Sequence, residues 1–155
     1  MKPELAVAVV MQRRPAISRW AEFVWEPVRV VVGEAALGNA TRELPTDSTN
    51  LQWLHPGFRI ILHKDEAEGY YLNCSAPDPK VFVLWRMDEE RGLPLDVTAS
   101  LDEAGRWLDA GHSVDGVPMT PEIFAWVGEY VEKNYKPQPK KRIKPRTFVH
   151  PKDRR

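Results

Sequence analysis

The last twenty residues, Lys136 to Arg155, alternate Pro with Lys and Arg and hold nine of the 22 basic residues of the chain against a single acid, Asp153. A run so polar and so stiff cannot build a core, which confines any folded domain to residues 1–135 and leaves residues 136–155 as an appended basic tail. The two parts carry opposite charge. The body holds 13 basic and 21 acidic residues, about −8, against about +8 in the tail, so the formal neutrality of the whole conceals the division.

A body of this length is the size of one domain and can bury roughly two-thirds of its unfolded surface, so it needs neither disulfide nor metal to fold. Cys74 is the single cysteine; one thiol forms no internal bridge and begins no zinc knuckle, which points to a reducing compartment. The apolar run Leu5 to Met11 is followed, not preceded, by Arg13 and Arg14, the wrong order for a signal peptide. No apolar segment approaches the ~20 residues that cross a bilayer. A cytoplasmic protein without a membrane partner is expected.

Leu5, Val7, Val9 and Met11 alternate with Ala6, Ala8 and Val10, giving a strand apolar on both faces and therefore central. After Pro15, the spacing of Ile17, Trp20, Ala21 and Val24 predicts a short helix over 16–25, and Val28 to Val32 a second strand. Regularity fades from Gly33 to Gly57, where turn residues cluster. Phe58, Ile60 and Leu62 then alternate with Arg59, Ile61 and His63, and an acidic turn, Asp65 to Gly69, leads to Tyr70–Ser75; together these predict a β-hairpin. Strands follow at Lys80–Met87 and Leu95–Ala99.

Two helices close the body. Ser100 and Glu103 form a capping box, with Leu101, Ala104 and Leu108 as the inner stripe and Gly111 suited to the left-handed residue beyond the end. Thr120 caps a second helix with Pro121 at its first position and Ile123, Val127, Tyr130 and Val131 inward. The expected fold is α+β: a mostly antiparallel sheet of about five strands, able to curl into a partial barrel, covered by these two C-terminal helices.

No nucleophile elbow, phosphate loop or dinucleotide glycine pattern occurs, which weighs against the commoner enzyme classes. In the predicted hairpin one face collects Arg59, His63, Tyr71 and Asn73, and Arg86 joins them from the next strand. Arg and His beside neutral hydrogen-bonding groups suit a carboxylate, a phosphate or an acidic peptide; an ordinary solvated sheet face is the plainer reading. Asp65, Glu66 and Glu68 beside His63 lack the regular pattern of a calcium loop, and His55, His112 and His150 stand in separate segments without ligand spacing, so no metal or other cofactor is expected. Cys74 falls on the apolar hairpin face, where a thiol is inert. Six tryptophans suit a core, or an interaction groove if several are exposed. In the tail, Lys140, Lys141, Arg142, Lys144 and Arg146 can meet an acidic protein or, as the alternative, a nucleic acid, although few aromatics accompany them for base stacking.

Several runs, in order, resemble an uncharacterised proteobacterial family, the domain of unknown function numbered 3305: Val9 to Pro15, Ser18 to Ala21 with Trp25, Asp65 to Asn73, Phe82 to Arg86 and Val114 to Pro118. The resemblance covers most of the body and brings no assigned catalytic residue. It implies a setting, since members are often encoded beside molybdenum- or tungsten-dependent formate dehydrogenases and their accessory proteins. The expected function is therefore a non-enzymatic accessory or interaction protein for assembly or function of such an enzyme, with that enzyme or its maturation factors as partner. Nucleic-acid binding through the tail is the alternative.

Overall fold

The computed structural model describes residues 2–137; the tail lies almost wholly outside them. Seven strands form two antiparallel sheets, with three α-helices between and after them. The α+β class is as expected, but the single sheet is not: one sheet of four strands and one of three are separate, and no closed barrel forms among the described residues. No helix among these residues is long and apolar enough to cross a membrane.

β1 (Glu4–Pro15) lies between β2 (Phe23–Val31) and β4 (Leu51–Ile61), with β3 (Arg42–Leu44) on the far edge. Its two apolar faces explain that central place. Val7, Val9 and Met11 enter the main core, while Ala8 and Val10 join Ala36 and Leu54 in a smaller one, beneath a 3-10 turn at Glu34–Ala36. The stretch after Gly33 is thus less irregular than its composition suggests. The expected helix over 16–25 is absent. Ala16 to Glu22 is the β1–β2 loop, closed by Ala16 N donating to Glu22 O at 3.0 Å, and Trp25 sits in β2 opposite Arg13.

The predicted hairpin does not form either. Its first arm exists within β4, but Tyr70–Ser75 belongs to helix α1 (Ala67–Ser75), entered through a 3-10 turn at Lys64–Glu66. A strand would bury Tyr70, Leu72 and Cys74. The chain instead buries Ala67, Tyr70 and Asn73 and leaves Tyr71 and Leu72 exposed, a helical period. The acidic residues placed in a hairpin turn lie where the positive end of a helix dipole favours them.

β5 (Lys80–Asp88) pairs with β6 (Arg91–Thr98) on one side and with β7 (Ser113–Pro118), a strand the sequence pattern did not disclose, on the other. Helix α2 (Leu101–Asp109) starts at Ser100, whose Oγ accepts from Glu103 N, and Gly111 has a φ of 91°. Only part of its expected inner stripe is inward: Ala104 is buried, but Leu101 and Leu108 are exposed. Helix α3 (Pro121–Asn134) starts at Thr120 with Pro121 in its first turn and sends Ile123 and Val127 into the core, where Tyr130 and Val131 pack against them. That core is shared by both sheets, α1 and α3.

Candidate functional site

With α1 in place of a strand, the residues expected on one wet face part company. Arg59 is exposed on β4 and pairs with Glu4 at 3.3 Å. Tyr71 is exposed on α1 and stacks on Tyr135 with ring centroids 4.7 Å apart. Asn73 is buried and turned inward: its amide donates to the carbonyls of Lys80 and Ala99, both at 2.8 Å, and its oxygen accepts from Lys80 N at 3.0 Å. Arg86 is exposed on β5, in the other sheet. Lys140, Lys141, Arg142, Lys144 and Arg146 lie outside the described residues.

His63 does reach a cavity. The link between β4 and α1 passes beside the C-terminal half of α3, and between them and Pro3 lies an open space of about 780 Å³. Its apolar wall is Pro3 and Trp126, with the core residue Leu62 behind them; Lys2, His63, Lys64 and Asp65 line it too. Tyr70 fixes the link, because its hydroxyl accepts from His63 N at 2.9 Å and lies 3.4 Å from Ile61 O, to which it donates. Burial raises the Tyr70 phenol well above its ordinary range, so this donor stays protonated. Burial and then the nearby Asp65 charge also raise Tyr130, whose ring forms another part of the cavity.

A second cluster lies where β1 leaves the core. The register sets Trp25 opposite Arg13 and Trp53 opposite Met11, and the two indoles stack at 5.2 Å. The Arg13 guanidinium lies 4.0 Å from the Phe23 ring centroid, and Arg91 lies 5.9 Å from that of Trp53. Arg13 Nε is buried and finds no partner among the described residues. Beyond this cluster the β1–β2 loop holds Ile17 fully exposed and Trp20 87% exposed, with Arg19 5.9 Å from the Trp20 ring. Arg14 is engaged by Glu26 at 2.8 Å.

The profile of the family described as Protein of unknown function (DUF3305) matches residues 6–144. This chain belongs to that family. No curated protein and no solved structure matches it. For this DUF3305 member the chemistry must therefore come from its own side chains. No group of three or more His, Cys, Asp or Glu among the described residues converges as a metal site. Of the acids after His63, Glu66 is used otherwise: it accepts from Ser100 Oγ at 2.6 Å and pairs with Arg106, tying α1 to α2. Cys74 packs at the edge of the core, and burial raises its thiol, so it stays protonated at neutral pH.

Neither cluster was named by the sequence pattern. The cavity joins segments about sixty residues apart and has no local signature. The loop had one, its Ile and Trp at helical spacing, but that spacing equally describes an amphipathic helix.

Proposed function

We propose that this protein is a non-enzymatic interaction protein that docks an acidic, partly apolar surface of a partner through its β1–β2 loop. The carrying observation is the exposure of Ile17 and Trp20 on a loop bordered by Arg13 and Arg19. Large aromatics and arginine dominate binding energy at protein interfaces, and keeping them in water has a cost unless a partner covers them. Arg14 is already neutralised by Glu26, whereas Arg13 and Arg19 stack on rings and retain donors for a partner's carboxylates. The net-basic tail is a second attachment of the same sign.

The physiological setting that the family resemblance supports is assembly or function of a molybdenum- or tungsten-dependent formate dehydrogenase in the cytoplasm, the enzyme or its maturation factors being the partner. Affinity capture from the native host tests this. The full chain should recover a molybdoenzyme or its maturation factors, and the Ile17→Asp, Trp20→Asp double variant should not. Recovery of neither class by the full chain defeats the reading, and so does undiminished capture by the double variant. A capture that nuclease abolishes would instead support nucleic-acid binding through the tail.

A further inference from the structure

The cavity beside His63 is independent of the docking loop. Its volume, about 780 Å³, falls in the range of small-molecule sites. One wall is apolar, made of Pro3 and Trp126, and the charge around it is uneven. Of the cations, Lys133 pairs with Glu129 at 3.3 Å, while Lys2 and Lys64 make no ion pair among the described residues. Asp65 is the one lining acid outside the Lys133–Glu129 pair. The His63 ring makes no hydrogen bond among the described residues; only its main chain is held, the N–H donating to the Tyr70 hydroxyl and the carbonyl accepting from Glu66 N. Two ammonium groups and an imidazole thus meet an aromatic wall, with one acid opposed to them.

We propose that this cavity binds a small organic anion with an apolar body, its carboxylate or phosphate head among Lys2, His63 and Lys64 and its body against Trp126 and Pro3. An apolar molecule alone gains nothing from the two exposed ammonium groups, and a bare inorganic anion gains nothing from the indole wall; only a ligand with both parts uses both surfaces. A cationic ligand would find Asp65 but meet two unpaired lysines.

Isothermal titration of the full chain with 4-phenylbutyrate, 4-phenylbutylamine and inorganic phosphate tests the charge and the body separately. The carboxylate should bind, and the amine and phosphate should bind at least about tenfold more weakly, because each lacks one of the two complementary parts. Lys64→Glu should weaken the carboxylate by about tenfold or more and narrow its advantage over the amine. Trp126→Ala should weaken it while leaving phosphate unchanged, with circular dichroism confirming the fold of each variant. Arg59→Ala, exposed and outside the cavity, should change nothing. Equal affinity for acid and amine, equal affinity for phosphate, or indifference to Lys64→Glu would each overturn the assignment, as would no detectable binding of the carboxylate. Failure of the loop variants to alter partner capture would leave these outcomes untouched.

Discussion

A single buried amide, that of Asn73, ties α1 to the main chain of β5 and to the segment before α2. Asn73→Ala removes three hydrogen bonds and leaves buried main-chain groups unmatched, so a loss of about 3 kcal/mol is expected, since each unsatisfied group costs about 1–3 kcal/mol. The denaturant midpoint should fall with little change in slope. His55 offers a different measurement. It is buried, 3.2 Å from Thr41 Oγ1, and burial first, then the positive charge of Arg91, lowers its pKa in the folded protein. The unfolded chain therefore takes up the proton first. This residue's contribution to stability is complete above the ordinary imidazole value of about 6.5 and is lost as pH falls from there through the folded value. Thermal midpoints between pH 7.5 and 5 should fall more steeply for the wild type than for His55→Gln. At this scale the sequence was readable for Cys74, whose half-buried, raised thiol suits an inert role although it reached the edge of the core on a helix and not a strand. Asn73 was misassigned because an amide that binds a partner and one that binds its own backbone have the same letter.

At the level of elements, boundaries marked by local chemistry were legible and those set by distant packing were not. Thr120 with Pro121, and Ser100 with Gly111, announced α3 and α2 because capping is a contract between near neighbours. Even there the capping box closes differently: Glu103 does not return to the Ser100 amide but accepts from Thr98 Oγ1 at 2.6 Å, and Thr98 Oγ1 in turn accepts from Ser100 N at 3.1 Å. Helix α1 was missed because Tyr70 to Ser75 satisfies a period of two as readily as one of 3.6, and the choice is made by Tyr70 packing edge-on to Tyr130 of α3. Gly69 reports how tightly this helix meets the next. A Cβ there would run into Ser100 Oγ, closer than real Cβ atoms come. Gly69→Ala gains about 1 kcal/mol of helix propensity, but it displaces the hydroxyl that joins Glu66 to the Glu103 amide. The displacement should win, since burying mismatched polar groups costs about 1–3 kcal/mol each. Gly69→Ala should lower the melting temperature, whereas Gly105→Ala in α2, with open space around the glycine, should hold or raise it.

The whole molecule depends on two sheets that the sequence presented as one. Alternation along β1, β4 and β5 shows which side of each strand is apolar; it does not show that Lys80–Asp88 turns away from β4 to pair with β7, because β7 is short, carries Gly116 and has only Val117 buried. The junction of the sheets is equally silent. Gly92, at the start of β6, lies against Trp25 and Met11: an added Cβ would stand 2.8 Å from Trp25 Cβ and 3.2 Å from Met11 Cε. Trp25 is held in turn by its stack on Trp53, so it cannot yield without disturbing the aromatic cluster around Arg13 and Arg91. The two sheets therefore meet without slack at this glycine. Gly92→Ala should separate β6 from β2 and destabilise the fold by roughly 1–3 kcal/mol, the usual cost of overpacking. Gly92→Ala combined with Met11→Val, which removes the more flexible of the two obstructing side chains, should recover part of the stability but not the indole stack. If the double variant regains full stability, the strain runs through Met11 packing and not through Trp25; near-ultraviolet circular dichroism of the stacked indoles distinguishes the two.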